Sequence, residues 1–185
     1  MKTHKLIRGA RLLQWLEEAP FSDLERGTMQ FEPSASPDAR QNAKMPIQIL
    51  KMQLVPAPHD GNLMVKSTAR SDSGNVYQPS IMFDGVEYQA QDMHTNVTFS
   101  GVDNKDYHIA PIDLRNNNAK VHCNCLDFYW RFGKHNAGAN SLLGEPGGSY
   151  VKKTDRPPAN IKQTPGVCKH LLRLVDELKR NRIAH

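Results

Sequence analysis

The sequence is poor in cysteine and in aromatic residues, and it has no long apolar run. Three cysteines in 185 residues are too few, and odd in number, for a disulfide scaffold. They suit a reducing compartment. No apolar run approaches the ~18 residues that a membrane helix needs. The start, Met1-Lys2-Thr3-His4-Lys5-Leu6-Ile7-Arg8, is basic but has no apolar stretch behind it, so no secretory signal and no membrane association are expected. Residues of the AVILMFWYC set make up 38% and aromatics 7%, which predicts a modest core. Charged residues at 23% are ordinary for a folded chain and argue against wholesale disorder. There is no His-Glu-x-x-His, no P-loop and no Gly-x-Gly-x-x-Gly. Without them no enzymatic activity and no small-molecule substrate are expected.

The length suits one domain of ordinary size or two small ones. The net charge of +5 is unevenly spread. Residues 150–185 carry nine basic side chains, Lys152, Lys153, Arg156, Lys162, Lys169, Arg173, Lys179, Arg180 and Arg182, against Asp155, Asp176 and Glu177. Such a region suits an acidic partner, nucleic acid or protein, or is simply a solvated helix face and loop.

Residues 5–19 have the apolar spacing of an amphipathic helix, stopped by Pro20. Ser22 and Glu25 could cap one short turn ending at Gly27. Residues 32–46 read as an irregular connection. Strand patterns then follow, from Ile47 to Val55, Leu63 to Ala69, Val76 to Phe83, Val86 to Gln89, Asn96 to Ser100 and Tyr107 to Leu114. Turn signals separate them at 56–62, 70–75, Asp84-Gly85 and Asn116-Asn117-Asn118. A meander-like antiparallel sheet is predicted. Residues 133–166 hold six of the twelve glycines and four of the twelve prolines, and read as a long loop. Cys168 to about Arg182 reads as a helix, with Leu171, Leu174, Val175 and Leu178 on its apolar stripe. The predicted class is α+β: an antiparallel sheet flanked by an N-terminal and a C-terminal helix, with a metal-stapled β-hairpin/helix element and a long loop. The predicted parts are 1–46, a helix and connection; 47–120, the β region; and 121–185, the metal-binding region with its insert 133–166.

Every cysteine falls in one of two short motifs, Cys123-Asn124-Cys125 and Cys168-Lys169-His170. On an extended chain residues i and i+2 project to one face, so Cys123 and Cys125 would offer two sulfurs to one point. Thr164-Pro165-Gly166 breaks the chain before the second motif, placing Cys168 at a helix N-terminus that favours a thiolate. His170, in the first turn, reaches the same point. Three thiolates and one imidazole make a closed tetrahedral Zn²⁺ site. The alternative is three buried free cysteines and an unrelated histidine, which leaves the pairing of every cysteine unexplained. His122 and His135 are the substitutes if one ligand is misassigned.

Cys-x-Cys followed much later by Cys-x-His resembles the SWIM-type zinc finger. Phe128 lies three residues after Cys125, Pro165 three before Cys168, and His170-Leu171-Leu172 leads into an apolar helix, as in that family. The resemblance covers residues 121–178, with 42 residues between Cys125 and Cys168. It implies a structural element that binds protein or DNA. The run Cys-Asn-Cys-Leu-Asp-Phe-Tyr-Trp-Arg-Phe, a Gly/Pro-rich insert and Thr-Pro-Gly-Val-Cys-Lys-His-Leu-Leu also resembles small structural proteins of large tailed bacteriophages. This implies a virion component made in the host cytoplasm, whose partners are other virion proteins or copies of itself.

Two sets of contact residues follow. Leu142, Leu143, Tyr150, Val151 and Ile161 are spaced like anchors along the insert and are expected to meet a partner chain. Under the alternative of a nucleic-acid-binding module, Lys152, Lys153, Arg156, Lys169, Arg173, Lys179, Arg180 and Arg182 would make the contacts. Phe128, Trp130 and Phe132 would share one face of an extended chain beside the metal and are expected in the core rather than as a base-stacking platform.

Overall fold

The computed structural model describes residues 18–31, 46–89, 97–146, 160 and 162–185. The helix expected over 5–19 lies almost wholly outside them.

Helix α1 spans Phe21–Phe31. Phe21, Leu24 and Thr28 recur at helical spacing and form its buried face. The single turn ending at Gly27 is therefore a correction. Gly27 sits inside the helix, where it permits a close approach: a Cβ there would run into the Pro165 carbonyl.

Strands β1 (Gln48–Ala57) and β2 (Asn62–Arg70) form an antiparallel hairpin, with Leu54 opposite Val65 and Ala57 opposite Asn62. Their turn is a short 3-10 stretch, Pro58–Asp60, closed by Gly61 at φ 63°, a left-handed conformation that glycine adopts without penalty. Strands β3 (Val76–Tyr77) and β4 (Ser80–Phe83) both pair with β2, and β4 pairs in turn with β7 (Ala119–His122). Leu63, Val65, Ala69, Ile81, Phe83, Ala119 and Val121 are fully buried on this sheet, as strand alternation requires when one face is covered.

The sheet departs from a simple meander after β4. The chain turns at Asp84-Gly85, but no neighbouring strand of the sheet follows. The Asn117 side-chain amide donates to the carbonyls of Asp84 and Gly85, at 3.0 and 2.9 Å, and Asp84 N–H donates to Asn118 O. These bonds send residues 86–89 out of the sheet, where Tyr88 bridges to Ile109. Strands β5 (Val97–Ser100) and β6 (Asp106–Ile109) make a separate hairpin before β7 returns to the edge of β4. The strand expected to run to Leu114 stops at Ile109; Ile112 and Leu114 instead pair with the C-terminal residues 183–185.

After β7 the chain is helical, which corrects the extended reading of 126–132. It runs through Leu126–Phe128, a π-helical turn Tyr129–Gly133, and Lys134–Gly138, together called α2. Phe128 and Phe132 face the core, whereas Trp130 is 46% exposed, beside Leu126 at 71% and Tyr129 at 45%. Strand alternation would put Trp130 in the core; helical spacing puts it on the other side. The first part of the insert is thus folded against its own chain. Val121 N–H donates to Ser141 O, and Leu143 N–H to Val121 O.

Helix α3 spans Lys169–Arg180. Its Leu171, Leu172, Leu174, Val175 and Leu178 join Phe21, Leu24 and the sheet residues in one apolar cluster that also contains the three cysteines. The fold is α+β, as expected.

Candidate metal centre

The four predicted ligands come together. One donor atom from each of Cys123, Cys125, Cys168 and His170 lies within 4.8 Å of every other. All four residues are buried, none more than 3% exposed.

Each arrives by a local device. Strand β7 ends at His122, so Cys123 and Cys125 straddle a strand-to-helix turn rather than lying on a strand. Asn124 fixes that turn, its side-chain oxygen accepting Gln78 N–H at 2.8 Å. Cys125 is the N-cap of α2 with extended φ, and its Sγ accepts Phe128 N–H at 3.3 Å. Cys168 is the N-cap of α3, as expected from the Thr-Pro-Gly break. His170 stands one residue into the first turn, its Nδ1 at 3.9 Å from Cys123 Sγ and 3.8 Å from Cys168 Sγ. A tetrahedral ion with metal–sulfur bonds of about 2.3 Å and a metal–nitrogen bond of about 2.0 Å needs nitrogen–sulfur separations of about 3.5 Å, so the two observed distances need only a small contraction to close on an ion.

The protons also fit an ion-binding site. Cys125 is held far below the usual thiol range because the Cys123 and Cys168 thiols donate to it. Giving its hydrogen to Cys125 pushes Cys123 up. Burial, followed by the neighbouring sulfurs, pushes Cys168 up. A divalent ion at the centre would stabilise all three thiolates and release the remaining protons. Sulfur-rich four-coordinate sets of this kind are closed, leaving no position for substrate or water.

Three buried polar side chains hold the segment that delivers Cys168, and sequence reasoning missed all of them. Thr28 of α1 accepts Val167 N–H at 2.7 Å and donates to Leu24 O at 3.0 Å. Asn136 of α2 bonds both backbone groups of Gly166. Asn160 donates to Arg131 O and Thr164 O and accepts Thr164 N–H at 3.3 Å. Gly166 is required here by space, since a Cβ would lie 2.7 Å from both the Phe132 ring and Thr28 Oγ1. The Pro-Gly pair was the only signal available, and it was read as a break rather than as a close approach.

The other predicted residues do not join the site. Leu142 packs against its own core and bridges to Val121, so its side chain is engaged within the chain rather than free as an anchor. Leu143 is half-buried beside it. Tyr150, Val151, Ile161, Lys152, Lys153 and Arg156 lie outside the described residues. Lys169 is half-buried, and Arg173 is committed to Ile47 O at 3.0 Å and Glu177 at 2.9 Å. Lys179, Arg180 and Arg182 are exposed at the end of α3. His122 is exposed and meets Phe128 edge-on, and His135 is half-buried, its pKa lowered by burial; neither belongs to the cluster.

Among the described residues no helix is long and apolar enough to cross a membrane. Compared with known proteins, the chain matches no family model, no curated protein and no solved structure.

Proposed function

We propose that the chain is a non-enzymatic, zinc-stapled structural and interaction protein of a macromolecular assembly. The observation that carries this reading is the buried Cys₃His cluster. Thiolate-rich, four-ligand, tetrahedral donor sets select Zn²⁺, and zinc so enclosed stabilises a fold rather than activating water. The four ligands join the end of β7, the start of α2 and the start of α3, so the ion locks three elements of one core. No thiolate in the cluster is left accessible to act as a nucleophile.

The resemblance to SWIM fingers and to small tailed-phage structural proteins supports a virion component as the setting. Zinc ligation would leave the exposed Leu126, Tyr129 and Trp130 side of α2 rigidly presented, as an assembly contact requires. A nucleic-acid-binding role is the second reading, and exposed Lys179, Arg180 and Arg182 favour it.

X-ray absorption at the zinc edge tests the closed site. Three sulfurs and one nitrogen support the structural reading; a water or other exchangeable oxygen on zinc overturns it. Binding to nonspecific duplex DNA that falls steeply with added salt would favour the second reading.

A further inference from the structure

His170 has two ring nitrogens, and only one faces the sulfurs. Nδ1 lies 3.9 and 3.8 Å from Cys123 and Cys168 Sγ. Nε2 is buried and has no hydrogen-bond partner among the described residues. A metal-bound histidine ordinarily donates its second N–H to a carboxylate, a carbonyl or water, and that bond fixes the ring. At His170 an aromatic ring stands close by instead. Tyr77 lies over the imidazole, with centroids 4.2 Å apart and planes tilted by 35°. Tyr77 is itself anchored by the pairing of β3 with β2, opposite Ala69.

The short spacing of the motif favours the near nitrogen. Cys168 and His170 are separated by one residue at the start of α3, so their Cα atoms are close and both side chains must reach one point. Nδ1 is the nitrogen adjacent to the side-chain stem and Nε2 the distal one.

Resting on the zinc reading above, we propose that His170 ligates the metal through Nδ1 and that Tyr77 is a positioning residue, its ring face orienting the imidazole in place of the usual hydrogen bond. Nε2 then carries the ring proton. Tyr77 is not one of the four clustered donors, and in this proposal it acts through the His170 ring it lies against.

The test uses the full-length zinc-loaded protein and long-range proton–nitrogen NMR of the histidine rings. The expected His170 pattern is a protonated Nε2 and a metal-bound Nδ1. A protonated Nδ1 with Nε2 on the metal overturns the ligation mode. For Tyr77, zinc affinity measured by chelator competition should fall about tenfold in Tyr77→Leu, with broadening of the His170 signals, and should be retained in Tyr77→Phe. Unchanged affinity and unchanged His170 signals in Tyr77→Leu overturn the positioning role. Should Tyr77→Leu not fold, weakened binding in the folded Tyr77→Phe protein also counts against a role for the ring face. Failure of the zinc reading itself is distinguishable: Co²⁺ would then give no sulfur-to-metal absorption in the wild type. With that absorption present, a wrong nitrogen defeats only the present inference.

Discussion

The Asn136 side chain is bonded twice to the backbone of Gly166, donating to its carbonyl at 2.9 Å and accepting its N–H at 2.8 Å. Asn136 is fully buried, so this pair acts as a small piece of backbone ladder between α2 and the segment entering α3. Cys125 begins one of those helices and Cys168 begins the other. The Asn136 amide therefore helps to fix the backbone two residues ahead of Cys168.

Replacing Asn136 with Ala should leave two buried backbone groups unpaired and cost about 2–4 kcal/mol. Urea denaturation of the zinc-loaded protein would measure this. Asn136→Ala should also weaken metal binding, whereas a mutation on the exposed end of α3, such as Lys179→Ala, should not.

Gly27 reverses an ordinary rule. Alanine for glycine inside a helix normally gains about 1 kcal/mol. At Gly27 the new methyl would collide with the Pro165 carbonyl, and the variant should lose about 1–3 kcal/mol. Gly138, which has nothing within 4 Å of its ideal Cβ, is the control and should tolerate alanine. Thermal unfolding of the two variants should give shifts of different size, with Gly27→Ala clearly the less stable.

Asp84 gives the protein a pH dependence away from the metal. Burial, and then its hydrogen bond to Glu18, raise its pKa to about 6 from 3.8. Glu18 is lowered mainly by its bond to Lys120, which it meets at 2.7 Å. A carboxyl raised in the fold contributes stability when protonated. That contribution is complete below the ordinary carboxylate range and is lost as pH rises through 6. Asp84 is partly exposed, so solvent screening limits the effect to about 1 kcal/mol. Urea midpoints should show wild type losing stability relative to Asp84→Asn between about pH 4 and pH 7. Parallel curves would contradict the raised pKa of Asp84.

Much of this was legible in the sequence. Strands β1 and β2 were marked by alternation and by a Pro-rich turn ending in Gly61, and α3 by its leucine spacing. The Cys₃His cluster was legible because cysteine and histidine at one-residue spacing leave few other uses for three sulfurs. What failed had physical causes. Apolar residues at 128, 130 and 132 suit a strand as well as a helix over so short a run, and only the helix puts Trp130 outside. Asp84-Gly85 has the chemistry of a hairpin turn, yet Asn117, more than thirty residues on, decides where the chain goes next. Thr28, Asn136 and Asn160 carry no motif, since a buried polar residue is recognisable only from the backbone it satisfies.

Chelation should act as a structural perturbation. Removing zinc should destabilise the protein by several kcal/mol, because the unfolded chain holds no preformed site. Amide exchange should rise first around Cys123–Phe132 and Val167–Leu172, and less in the β1–β2 hairpin. Equal exchange throughout, or none, would place the ion outside the folding unit.

The most direct test is metal content joined to ligand replacement. Protein purified without added metal should contain one zinc per chain, held by three sulfurs and one nitrogen, and substitution of Cys125 or Cys168 by Ser should abolish stoichiometric binding. Wild-type protein that is folded but free of zinc, or a variant lacking all three cysteines that still retains one ion per chain, would contradict the account.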